Sequence, residues 1–447
     1  MQSELKSVQT ETHAKRRWTL LIGIALFALA VVLPLLRQRG ARSWQTIWFE
    51  DGSIYYEQAK QHGATVLFRG YNGYLQLPAR VLGIIATALP IRDIAVYFAL
   101  TSAVVSALVA WFVYHYCEGW IASIPVRLTL AALVVLMPAL GSENTANITD
   151  VIWVFLLALP WALISVHERP LDVGIRGIVT FVAATSSILC VFFVPFALGY
   201  ALYRKTRETW VVVSAFGAGL VLQIAVALHS QRLVLDPPAM RRVPSLQYLF
   251  GHPSLYQLTR FTGLRVFVVF VTGGKGLSAD GRHANALLIV GCVILTTVIL
   301  AFLIPGAGRK AQVLAGVFVA YALLIFVASA WESGIGASGL RYSVLPVFLL
   351  ASGIAVLAAP PGSERTRRAA VIGRRLFVAY MAVVIVTGFA VTNVRSPGPT
   401  WDAALTSTYR THCVGAQPEK LVIIPTEAGI GLFGPSEQVI LACDDLR

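Results

Sequence analysis

Nineteen consecutive residues, Trp18–Leu36, carry no charge, and eight further apolar runs follow them: 94–116, 127–140, 151–166, 209–228, 285–305, 312–331, 341–359 and 376–394. A run of about 20 apolar residues is what a helix needs to cross a bilayer. A soluble chain carries about 25% charged residues. This one carries 13%, is 57% hydrophobic, and has a mean hydropathy of +0.71. The backbone of such a chain finds no water inside lipid, so its spans must satisfy their own hydrogen bonds as helices. The expected fold is all-α: a polytopic membrane protein, helical over 1–394.

The net charge of +14 does not point to nucleic acid. Lys and Arg gather in short clusters between apolar runs, as in "HAKRR", "YRKTRE" and "RTRRAAVIGRR". That is how cytoplasmic loops are marked. Trp18–Leu36 is followed by "LLRQRGARSW", which offers no small-residue cleavage site, so it reads as a retained first span. The basic N-terminus is then cytoplasmic, and residues 37–93 form a first extracytoplasmic loop. Within it, 75–90 holds Pro78 and Arg80 and suits an interfacial helix. Residues 177–203 are too long for one span and break at "ATSS", which fits two short helices. With 229–284 as a long outer loop, the count is about eleven crossings. The tail, 395–447, falls outside. It holds Cys413 and Cys443, which suggest a disulfide and an oxidising compartment. Cys117, Cys190 and Cys292 read as packing residues. The expected location is the plasma (inner) membrane.

The outer loops of this topology collect polar groups that topology alone does not require. The first opens with Glu50 and Asp51 among aromatics that include Tyr55 and Tyr74. The second holds Glu143, Asn144, Asn147 and Asp150. The long one holds Arg241, Arg242 and Arg260. Arg341 and Tyr342 begin a late span. A carboxylate can take a proton from a hydroxyl, and arginines can hold a phosphate through charge-assisted bonds. Each group also has a plainer reading. Asp51 could cap a helix starting at "FEDGSIYYEQA". Arg341 could anchor a span end. Glu143–Asp150 could be a solvated hairpin, and Arg241 with Arg242 could touch lipid headgroups. Asn147–Thr149 matches a glycosylation sequon, a pattern common by chance. No metal-ligand spacing is visible, and no cofactor is expected. The carboxylate pair could bind a divalent cation, but no second ligand set is evident.

A retained first span, an outer loop opening on an acidic pair, and aromatic interfacial helices together resemble the GT-C superfamily of integral-membrane glycosyltransferases. "LRYSVLPVF", with Arg341-Tyr342, is similar to the Arg-Tyr found near the lipid phosphate in some of these enzymes. The resemblance implies a polyprenyl-phosphate-linked sugar donor. It implies a glycan, glycolipid or protein acceptor, and Asp51 or Glu50 as general base. It also implies inversion at the sugar. Arg341, Tyr342, Arg241, Arg242 and Arg260 would meet the donor phosphate. Tyr55, Arg80, Tyr74, Glu143, Asn144 and Asn147 would line the substrate. The chain departs from larger members in lacking a big soluble C-terminal domain. Two other readings compete: a transporter or flippase of lipid-linked sugars, and a glycan polymerase or ligase. A transporter would want ionisable groups at mid-span depth. Here His115 sits only at the end of its run, and polar groups gather at one face.

Overall fold

The structure is a computed structural model and describes residues 2–48, 50–71, 74–141, 146–230, 269–272, 308–333, 340–359, 367–393, 395–396, 398–425 and 438–446. It is mostly helical. Five helices are long and apolar enough to cross a membrane: Arg17–Leu36, Ile91–Tyr116, Arg207–His229, Arg309–Ala328 and Arg341–Ala358. The expected run 285–305 lies outside the described residues. The other expected crossings are helices that fall short of that standard. Among them are α5 (Ile124–Leu136), α6 (Val151–Ile164), α7 (Pro170–Ser186) and α8 (Val194–Arg204). Arg367–Thr387 has 21 residues but carries four arginines in its first nine, and it stops at Thr387, short of the expected 394.

α6 is the axis of the bundle. "VIWVFLLALPWALI" has no polar residue, and every side chain but Phe155 is buried. A helix apolar all round belongs inside. α4 (Ile94–Tyr116) and α7 pack on it. By contrast, α1 (Gln2–Leu36) exposes Trp18, Leu20, Leu21, Ile22 and Ile24. An apolar surface that wide, in a chain this hydrophobic, suits lipid.

The break expected at "ATSS" is present between α7 and α8. Thr185 and Ser186 hydroxyls donate back to Phe181 and Val182 carbonyls, and Ser187 Oγ accepts from Leu189 N–H at 3.3 Å. The basic stretch "HERPLDVGIR", 167–176, has the look of a loop between apolar runs, yet only its first residues are one. Pro170 starts α7, because proline suits a first helical turn. Arg176 is therefore helical and buried rather than a loop charge.

A second core lies beyond the bundle. Tyr55, Tyr56 and Ala79 from the first loop pack with Ile148 and Val151, and with Trp401, Ile424, Val439 and Leu441. The last four come from the C-terminal segment, where strands β3 (Leu421–Pro425) and β4 (Gln438–Ala442) pair antiparallel. A disulfide joins Cys413 to Cys443. Ile440 N–H donates to Glu57 at 2.8 Å, Lys60 pairs with Asp445 at 3.0 Å, and Trp401 Nε1 donates to the Ile91 carbonyl at 2.7 Å. The described residues of the C-terminal segment thus share a core with the first loop instead of trailing from the bundle. Cys117 and Cys190 are free and buried.

The two layers are joined where α1 ends. Strands β1 (Gln38–Arg39) and β2 (Val391–Thr392) run parallel. Buried Arg37 donates to the carbonyls of Phe389, Gly388 and Met137. Gly388 is needed here: a Cβ on it would lie 2.3 Å from Pro138 Cγ.

Candidate active site

Three chain segments meet at the N-terminal end of α6. The first is Glu50-Asp51, at the start of a wide π-helical turn, Asp51–Tyr56, that leads into α2 (Glu57–His62). Single π turns are uncommon and recur at functional sites. α3 (Leu77–Ala86) packs directly on this turn. At ten residues it spans about 15 Å, too short to cross alone, which fits the interfacial helix expected at 75–90. Arg80 on α3 donates to the Ile54 carbonyl at 3.1 Å and to Gln58 at 2.7 Å. Its guanidinium also lies 5.3 Å from the Tyr55 ring centroid.

The second segment is the loop before α6. Asp51 does not cap its own helix. Its carboxylate accepts from Ile148 N–H at 3.1 Å, from Thr149 N–H at 2.9 Å and from the Thr149 hydroxyl at 2.5 Å. Both oxygens are therefore engaged across loops. Asn147 Oδ1 accepts from Asp150 N–H at 2.8 Å. Asn147 and Thr149 are buried, which removes the sequon from solvent.

The third segment is Leu340–Ser343, the short turn before Val344–Ala358. Tyr342 packs edge-on against Trp153 of α6, with centroids 5.7 Å apart, and Arg341 lies over the Tyr342 ring. Arg395 approaches from the C-terminal segment, 5.6 Å from the centroid of Trp48. It donates to the Thr46 carbonyl and to Asn393.

The two adjacent acids have different surroundings. Burial pushes Asp51 up to about 6, against the pull of its bonds to Thr149 and Ile148 and of the Arg395 charge. Burial, and then the charge of Asp150, push Glu50 well above the usual carboxylate range. Asp51 adds to this, while Arg341 opposes it. Glu50 is 7% exposed, and its Oε2 has no hydrogen-bond partner among the described residues. Asp51 is thus a fixed anchor, and Glu50 is a buried acceptor with an unpartnered oxygen that feels the Arg341 charge. Such a group can accept a proton from a bound hydroxyl.

The expected site residues separate accordingly. Glu50, Asp51, Asn147, Arg341 and Tyr342 come together. Tyr55 is fully buried and hydrogen-bonded to Gln76. Tyr74 is half-buried and bridges to Tyr71. Tyr55 is part of the π turn itself, and Arg80 braces that turn through its bonds to Ile54 and Gln58. Glu143, Asn144, Arg241, Arg242 and Arg260 lie outside the described residues. Thr149 and Arg395 belong to the site but were not candidates from sequence. Asp150 was visible as one acid among several, and only the fold shows it next to Glu50. Nothing in the pattern "TNVRSPG" marked Arg395 beyond a basic residue after a span.

The sequence also gave no metal-ligand spacing, yet the opposite end of α6 draws His115, Glu118 and His167 together, with ligand atoms all within 4.8 Å of one another. The 48 residues separating Glu118 from the second loop histidine hid this set until α4 and α6 lay side by side.

No protein-family model matches the chain, and no curated protein matches it. Among solved structures it is similar to the Archaeoglobus fulgidus oligosaccharyltransferase in complex with zinc and sulfate. The identity is 11% and the TM-score 0.39, over 87% of this chain and 55% of that one. The chain therefore spans about half the length of that protein.

Proposed function

We propose that the protein is an inverting membrane glycosyltransferase that moves a sugar from a polyprenyl-phosphate donor to an acceptor hydroxyl at the outer membrane face. The observation that carries this reading is the buried Oε2 of Glu50, without a hydrogen-bond partner among the described residues and within electrostatic reach of Arg341. In the proposed step Glu50 removes the hydroxyl proton. The acceptor oxygen bonds to the anomeric carbon as the carbon–oxygen bond to phosphate breaks, and the lipid phosphate leaves with that electron pair. Arg341 takes up the charge on the leaving phosphate, as a guanidinium can through paired donors. A base with a raised pKa accepts the proton more readily near neutral pH. Asp51 holds the Asn147–Asp150 loop in register and so positions Glu50. The helix N-terminus of α6 adds a partial positive charge to a site that must hold anions. On this reading the N-terminus is cytoplasmic, and the cap built from 37–93 and 395–446 covers the site on the other side.

The test compares envelope glycans and glycolipids in a deletion strain complemented with wild type, Glu50→Gln or Asp51→Asn, at matched membrane levels. Glu50→Gln is expected to leave one glycan a sugar short, with transfer down roughly 10²–10⁴-fold, the usual worth of a general base. Restoration of the full glycan by Glu50→Gln would remove the base from the scheme, and the transferase reading with it.

A further inference from the structure

The far end of α6 carries a second cluster, independent of the acids. His115 ends α4, Glu118 sits in the turn after it, and His167 follows α6. The two imidazole rings lie 4.6 Å apart. Gly119 allows the turn to seat against the α6–α7 connection, since a Cβ on it would lie 2.4 Å from Val166 Cγ2. Trp120 Nε1 locks the same contact by donating to the Ile164 carbonyl at 3.0 Å. α6 has 14 residues, so this cluster lies about 21 Å along the helix from Asp150.

We propose that His115, Glu118 and His167 form a binding site for a divalent transition metal of the zinc class, which staples the end of α4 to the α6–α7 connection. Two imidazoles and one carboxylate are a zinc-type donor set, whereas magnesium and calcium favour all-oxygen sites. A fourth position stays open to solvent. Two ligands at about 2.0–2.1 Å from one ion lie roughly 3.4 Å apart at a tetrahedral angle. Closure from 4.8 Å therefore needs a small side-chain rotation, which Glu118, half exposed, can make. Supporting groups are already in place. Ser165 Oγ lies 3.0 Å from His167 Nδ1, which leaves Nε2 of that ring available to an ion. Asp172 Oδ1 lies 3.8 Å from His115 Nε2 and accepts from the Tyr116 hydroxyl at 3.1 Å. A carboxylate behind a ligating imidazole orients the ring and raises its basicity.

Two arginines oppose the ion. Arg176 donates to the His167 carbonyl at 2.8 Å, and Arg127 pairs with Glu118 at 3.0 Å. Arg127 also lies over the Tyr114 ring, 4.9 Å from its centroid, which gives it a partner if Glu118 turns away. Asp172 and Glu118 balance the two positive charges.

The test uses the full chain, purified in detergent without a polyhistidine tag and stripped with a chelator. Cobalt(II), a spectroscopic stand-in for zinc, is titrated in, followed by zinc in competition. One equivalent is expected, with visible ligand-field bands of four-coordinate cobalt that zinc abolishes. His167→Asn and Glu118→Gln should each weaken binding, and Asp172→Asn should do so about tenfold or more, as for other outer-shell partners. Zinc should raise the melting temperature of wild type and not of Glu118→Gln, an exposed change that leaves the fold intact. Absence of a bound equivalent overturns the proposal. So does binding that the His115→Gln/His167→Asn pair leaves unchanged, because the ion then sits elsewhere among the chain's eight histidines.

Discussion

The two ends of α6 carry comparable numbers of ionisable side chains and solve the problem of burying them in opposite ways. At the N-terminal end the charges are mainly acids, held by loops, and two of them are pushed toward their neutral forms by burial. At the C-terminal end the orphan carbonyls of the helix are met by a buried arginine. Arg176 donates to Ala162 O and His167 O, each at 2.8 Å. A cation at a helix C-terminus agrees with the helix dipole, and acids at the N-terminus do too. The difference lies in how the charges are anchored. At the C-terminal end Arg176 is tied to two backbone carbonyls, although its Nη2 has no partner among the described residues, whereas at the N-terminal end the unpartnered atom is the acid oxygen Oε2 of Glu50. A buried unsatisfied group asks for an explanation, and on the proposed reading the acceptor hydroxyl is the one for Glu50.

The largest effect should come from breaking the arginine-anchored end. Arg176→Leu removes two bonds to buried carbonyls and one member of a local charge balance. A loss of about 3–5 kcal/mol is expected, the usual penalty for breaking a buried charged network. Thermal unfolding in detergent measures it. If Arg176→Leu melts within a degree or two of wild type, the arginine is not what holds that end.

The acid end should respond to pH instead. Asp51 has its folded-state pKa raised to about 6 from an ordinary 3.8. The folded state therefore holds the proton more tightly than the unfolded chain. Its contribution to stability is fully present below pH 3.8 and is lost as pH rises through 6. A shift of this size corresponds to about 3 kcal/mol. Asp51→Asn removes that slope. The difference in stability between wild type and variant should thus move in favour of the variant between pH 4 and pH 7. A difference that stays flat with pH would show that the cross-loop bonds, rather than burial, set the ionisation of Asp51.

How much of this contrast could be read from sequence depends on how local the signal is. The apolar runs, the break at Thr185–Ser187 and the acidic pair are written in consecutive residues, so they were legible. The partner of Asp51 was not. Its ligands Ile148 and Thr149 are almost a hundred residues away, and the same "FEDGS" pattern describes an ordinary helix cap. Arg80 shows the converse. A basic residue in an outer loop reads as part of the substrate lining, but its guanidinium is turned to Ile54 and Gln58. α6 was read as one more crossing; it is a 14-residue helix packed among other helices, and apolarity alone does not distinguish lipid from protein as its surroundings.

The cap offers a smaller test of what supports the acid end. Cys413 and Cys443 close a 30-residue separation, worth roughly 3 kcal/mol by loop entropy alone, with engineered and native cases often lower. Because the cap shares its core with the π turn, reduction should loosen both. Replacing both cysteines with serine should raise protease sensitivity across 395–446 and slow transfer, with the bundle melting unchanged. Loss confined to the C-terminal segment, with transfer intact, would separate the cap from the chemistry.

The smallest change acts at one contact. A Cβ on Gly83 would lie 2.6 Å from the Tyr55 carbonyl oxygen, a backbone atom that cannot rotate away. In a free helix, Gly to Ala would gain about 1 kcal/mol. Here the overpacking cost of about 1–3 kcal/mol should win, and it should be spent by moving the turn that carries Glu50 and Asp51. Gly83→Ala is therefore expected to lower stability by no more than 2 kcal/mol or so, yet to reduce transfer several-fold, because a misplaced base loses rate faster than a fold loses stability. Unchanged transfer would mean that α3 only packs against the turn. A drop in transfer that tracks the drop in stability would mean the same. A drop in transfer well beyond it would show that the close approach of α3 sets the position of the acids.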